Sequence, residues 1–280
     1  MTKRPRLATA VRLALQAFNR HDASRFGAAL AFYIVFAIAP TLLIAIAVAG
    51  SIFGREQAER EILERIGGSF GSATGGAIAA MIKDAAARRV GWLGTTIGFV
   101  SLYFSLSGVY RQIQGALQTI WHERAEQPTG AIRAIEKQGV SMLLVFGAIV
   151  VMLASVLADA AIAVTGRYAA SRLAGGEWLW HATQLVVSSL VLTVLFAAVF
   201  RYLPQERVTW RNVRVGAAVT AVLFVVGKFA LGIYLGKAAV GSAFGAAGSI
   251  VVVLLWSYWS AQIFFFGLEF THVYAQDRST

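Results

Sequence analysis

Between Ala28 and Phe53 the chain reads AALAFYIVFAIAPTLLIAIAVAGSIF, without one charged side chain. No other feature narrows the available folds so far. Roughly 20 mostly apolar residues, rising about 1.5 Å each, cover the about 30 Å of hydrocarbon in a bilayer. This run is long enough to do so, and five more follow it, at about Gly91–Gly108, Gly139–Thr165, His181–Phe200, Val215–Leu235 and Ser249–Val273. In lipid, backbone N–H and C=O groups must be satisfied within the protein, and a helix does this segment by segment. The expected fold is therefore all-α: a polytopic membrane helical bundle of about six transmembrane helices.

Composition agrees. The 280 residues are 58% hydrophobic and only 14% charged, with a mean hydropathy of +0.65, too apolar for a soluble domain of that size. There is no cysteine, which excludes a disulfide framework and thiolate chemistry. The net charge of +11 does not call for nucleic acid, because loops of a multi-span protein carry topogenic Lys and Arg. Membrane lipids are the expected partners, and no nucleic acid is expected.

The distribution of those charges sets a direction. Alternate connections and termini collect 15 Lys and Arg on one side, including Arg12, Arg20, Arg25, Arg111, Arg201, Arg207, Arg211 and Arg214, against nine on the other. The positive-inside rule then puts both termini in the cytoplasm. Trp92, Trp178 and Trp180 fall at the expected outer ends and Trp121 and Trp210 at the inner ends, where interfacial aromatics belong.

Three regions result. Residues 1–27 form a cytoplasmic segment in which Val11, Leu15 and Phe18 alternate with arginines, an amphipathic helix for the inner membrane face. Residues 28–274 form one six-span domain with a helical outer loop at 54–90, and 275–280 form a cytoplasmic tail. The AVAG that ends the first run imitates a signal-peptidase site, but the run is too long for a signal core and is expected to be retained. The small-residue stretches 66–82 and 236–249 suit either tight turns or short membrane-dipping pieces.

Polar groups inside apolar runs need a reason. Pro40 removes a helix hydrogen bond at mid-span, which marks a structural kink in a helix packed among others, with Tyr33 nearly on the same face. An ionisable residue at the bilayer centre costs about 3 kcal/mol on insertion scales, and three qualify: Asp159, Lys228 and Glu269. At about 1.5 Å per residue, Lys228 sits about 20 Å from the inner end of its span, Asp159 about 30 Å and Glu269 about 9 Å. Lys228 is thus better placed for Asp159, and Glu269 for Arg25, Arg111 or Arg201 at the rim. Tyr258, Gln262 and Glu269 fall within about 40° of one helical face, giving the last span a polar side. Such stripes either line a substrate or ion path or hold helices together. The candidate path residues are Lys228, Glu269, Asp159, Gln262, Tyr258, Tyr33 and Arg111.

The inventory for catalysis is thin. His21, His122, His181 and His272 are scattered and form no metal-binding pair. No phosphate loop, nucleophile elbow or clustered carboxylate set occurs. No catalytic residue, metal or cofactor is expected.

Four stretches are specific enough to carry a resemblance: AALAFYIVFAIAP (28–40), GVYRQIQGALQTIW (108–121), RYLPQERVTWRNVRVGAAVTAVLFVVGKFALGIYL (201–235) and FGAAGSIVVVLLWSYWSAQIFFFGLEF (244–270). In order and spacing the chain resembles the YihY/BrkB family of bacterial inner-membrane proteins, some of them labelled ribonuclease BN. Phe244 stands where the family often has Tyr, and Gln118 where it often has Asn. The resemblance implies six spans with cytoplasmic termini, and links to the virulence factor BrkB, serum resistance and envelope lipid handling. The leading expectation is a transporter or translocase of an amphiphilic, lipid-like envelope substrate. The alternative is a non-transporting scaffold or assembly factor, for which glycine spacings such as Gly94 and Gly98 suit a homo-oligomer, and ribonuclease is the least favoured.

Overall fold

A computed structural model describes residues 7–54, 56–57, 59–60, 62–64, 76–80, 92–121, 176–204, 208–237 and 248–276. The described residues are helical apart from turns, and most lie in six long helices: α1 (Leu7–Arg20), α2 (Ala23–Phe53), α3 (Trp92–Trp121), α4 (Gly176–Tyr202), α5 (Trp210–Lys237) and α6 (Gly248–Gln276). The all-α class follows. Three stretches among them are long and apolar enough to cross a membrane, Ala23–Ile44, Trp210–Leu235 and Ile250–Gln276, and Ser189–Tyr202 is a shorter apolar piece. The third expected span, Gly139–Thr165, and with it Asp159, lies outside the described residues. So do most of 66–82 and 236–249.

The helices pack in the spatial order α3, α2, α6, α5, α4, and α1 lies on α6. Glycines fix the registers. Tyr33 of α2 covers Gly108 of α3 and Phe26 covers Gly115, so these helices run antiparallel. Gln262 of α6 lies against Gly27 of α2. Between α5 and α6 the arrangement is reciprocal: Thr271 rests on Gly216 and Thr220 on Gly267, while Trp259 and Ile263 meet Gly227. Each threonine also donates its hydroxyl proton down its own helix, Thr220 to the Gly216 carbonyl at 2.8 Å and Thr271 to that of Gly267 at 2.7 Å. With lipid tails as apolar as leucine, such close backbone contact is what holds membrane helices together.

The main core gathers Ile113, Leu117, Phe196, Phe200, Val213, Phe265 and Leu268. A second cluster joins Leu42 and Ile46 of α2, Leu231 and Leu235 of α5 and Val252 and Val253 of α6 with Ile62, Ala77 and Ile78 of the 54–90 loop. Outward faces are apolar too. Val222, Val226, Phe229 and Ile233 of α5, and Val186, Leu190 and Val194 of α4, form exposed stripes at helical spacing, as hydrocarbon solvent requires.

α2 is helical through Pro40, and the exposed Phe32 and Phe36 rings lie 4.8 Å apart, tilted 54° to one another. Some expectations change. α1 forms as expected, but alanines make its contact face: Ala10 and Ala14 are fully buried against Phe270 and Tyr274, with Val11 and Phe18 at the edge. Leu15 is exposed along with Leu7 and Leu13, outside the contact with α6, where the small alanines permit the close approach. Trp121, expected at the interface, is buried with its ring edge-on to His272 at 4.7 Å. Trp210 remains exposed, with the Arg201 guanidinium 5.8 Å from its ring. The side chains of Trp92, Trp178 and Trp180 are not among those described.

Candidate functional site

Two polar side chains of α6, Gln262 and Glu269, converge on the joint between α1 and α2. α1 ends at Arg20, and Asp22 turns the chain with φ 54°, the single non-glycine among the described residues in the left-handed region. Asp tolerates that conformation better than most side chains. The His21 N–H still bonds to the Ala17 carbonyl at 2.9 Å, and the Arg25 N–H bonds to the Asp22 carbonyl at 2.9 Å, starting α2. The joint is a compact two-residue elbow.

Two α6 side chains reach it. Gln262 donates through Nε2 to the Ser24 carbonyl at 3.2 Å, two residues beyond the elbow. Seven residues later, two turns along α6, Glu269 Oε1 lies 2.7 Å from His21 Nδ1. Glu269 is fully buried and the His21 side chain is 16% exposed, so the pair has one end in the core and the other at the surface. Glu269 Oε2 is buried and has no hydrogen-bond partner among the described residues. An ionised carboxylate can accept about four hydrogen bonds, and this one has a single partner in that set.

The expected arginines are elsewhere. Arg25 is exposed above the Phe26 ring, Arg111 is exposed on α3, and Arg201 donates to the Val208 carbonyl beside Trp210. Glu269 pairs with His21 instead of any of them, because α1 folds back onto α6 and brings its last turn over the acid. His21 was a scattered histidine in the sequence; its position in the break between two helical patterns, NRHDAS, was the signal that it sits at a junction.

The remaining candidates do not join this cluster. Since Gly227 meets Trp259, Lys228 lies level with about residue 259 of α6, ten residues and so about 15 Å along the axis from Glu269. It is half-buried with its ammonium 5.2 Å from the Phe229 ring centre. Tyr258 is half-buried on α6 and Tyr33 is the side chain seated on Gly108. Asp159 is outside the described residues. No group of three His, Cys, Asp or Glu suited to a metal occurs among the described residues.

Comparison with known proteins agrees with an all-helical membrane protein. Residues 14–280 match the family described as Virulence factor BrkB. A UPF0761 membrane protein of Stenotrophomonas maltophilia is 26% identical over 235 residues, 82% of this chain and 52% of the relative. One of Pseudomonas aeruginosa is 28% identical over 260 residues, 89% of this chain and 59% of the relative, and one of Psychrobacter is 22% identical over 256 residues. The chain spans about half the length of the first of these relatives. No solved structure matches it. With the family pattern running from α1 through α6, the chain belongs to the virulence factor BrkB family of membrane proteins.

Proposed function

We propose that this membrane protein translocates an amphiphilic, lipid-like substrate of the bacterial envelope, working in the inner membrane with both termini cytoplasmic. The observation that carries the reading is the buried Glu269, held by one described hydrogen bond inside a span. A charge-bearing side chain in a membrane segment is expensive to keep and marks ion or substrate pathways. Lys228, half-buried higher in α5, supplies a cation at a second depth, and the lopsided Lys and Arg count supports the orientation. Ribonuclease chemistry forms no part of this reading.

The test is reconstitution of the full chain into vesicles carrying labelled lipid or lysolipid in one leaflet. Transfer between leaflets should exceed that of protein-free vesicles and fall at least tenfold in Glu269→Ala and Lys228→Ala. No transfer above background, or full activity in both variants, would overturn the reading.

One observation favours the alternative, a non-transporting scaffold. Two of the three polar residues on the α6 face, Gln262 and Glu269, bond to the elbow. Under that reading vesicle transfer is absent and the same variants alter only assembly.

A further inference from the structure

We propose that His21 and Glu269 form a proton-binding latch at the α1–α2 elbow, closed when the pair holds one proton and opened when it holds two. The ligand is identified by what the donor set can hold. One carboxylate and one imidazole meet here, and no third His, Cys, Asp or Glu completes a metal set among the described residues. Hard cations such as Ca²⁺ and Mg²⁺ take about six oxygen ligands. A proton needs only one atom, and Glu269 Oε2, buried and without a described partner, is such an atom.

Position supplies the rest. His21 is partly exposed while Glu269 is not, so the imidazole connects the buried acid to the aqueous side. With one proton on the pair, an imidazolium N–H faces a carboxylate, a charge-assisted bond about twice as strong as a neutral one. A second proton, taken from water, bonds to a Glu269 oxygen and leaves a neutral acid beside a cation. Loss of the carboxylate charge then weakens the bond that fastens the elbow to α6 from an ion pair to a hydrogen bond onto a neutral acid. What it releases is α1, otherwise held to α6 by small alanine contacts and the Phe18–Phe266 pair. Asp22, in its left-handed conformation, is the point about which α1 can turn.

Of the other charged side chains on the surrounding elements, Lys228 of α5 is half-buried but lies about 15 Å along the axis from Glu269. Arg12, Arg20 and Asp22 on α1 and the elbow, Arg25 on α2, Arg111 on α3 and Arg211 and Arg214 on α5 are all exposed. His272, one turn after Glu269, is buried edge-on to Trp121, and the Tyr274 phenol is buried against Phe270 where α1 packs on α6. The proposal rests on the translocation reading only in naming the proton as the coupling ion; the latch itself does not depend on it.

Hydrogen exchange of residues 7–24 and infrared difference spectra, recorded on the full chain in lipid nanodiscs between mildly alkaline and mildly acidic pH, test the latch. Exchange in α1 and the elbow should rise severalfold on acidification as the carbonyl band of a buried carboxylic acid appears. Glu269→Gln should exchange quickly at every pH and lack the band, and His272→Gln should keep both responses. A wild-type profile flat in pH, or a band that survives in Glu269→Gln, overturns the proposal, and the wild-type measurement decides even if a variant fails to fold. Both signals without lipid transfer in vesicles would leave the latch standing and remove the translocation reading. Lipid transfer with flat exchange would do the reverse.

Discussion

Glu269 and His21 are separated by 248 positions, yet each makes sense only beside the other. The acid stands out in an apolar run on cost alone, since a charge there must be paired or held for use. The histidine does not stand out, because neither its neighbours nor its spacing resemble a site. Removing one partner of a buried pair is costly because the other is stranded, and hydrogen bonds to charged groups are worth about 1.5–3 kcal/mol. We therefore expect His21→Ala and Glu269→Ala each to lower thermal stability in detergent. The double variant should lose about 1.5–3 kcal/mol less than the two losses added, as a double-mutant cycle would read. Additive losses would mean that the two side chains are not coupled.

At the scale of elements, the α5–α6 pair shows why membrane helices are legible one at a time and illegible in pairs. Both helices could be drawn from their apolar length. Their register depends on Thr271 fitting over Gly216 and Thr220 over Gly267, a relation between two surfaces that neither sequence segment contains. A side chain at either glycine would enter the facing threonine, whereas nothing lies within 4 Å of a Cβ built on Gly232. Gly216→Val and Gly267→Val should each cost about 1–3 kcal/mol or more by overpacking and reduce the yield of monodisperse protein, with Gly232→Val close to wild type. α1 makes the same point at a smaller size: its amphipathic pattern was plain, but which apolar side faced the protein was decided by alanines that let it sit close to α6.

For the whole molecule, direction in the membrane is the property that the charge count argues and that labelling measures. The chain has no cysteine of its own, so single introduced cysteines report without background. In intact cells, Gln57→Cys should react with a membrane-impermeant thiol reagent, and Thr280→Cys only after the cells are opened; the opposite pattern would invert the topology. The all-α class, the positions of the spans met among the described residues and the membership of the family were all legible in the linear order, because a bilayer demands long apolar helices and leaves few other solutions. The candidate acid was legible for the same reason, as a charge in the wrong solvent. What only the tertiary structure decided is where that charge goes: to a histidine on the N-terminal elbow and not to the rim arginines, with Lys228 about two and three-quarter turns away on a neighbouring helix. Sequence records the cost of each residue in lipid, whereas partners are set by how helices far apart in the chain fit against one another.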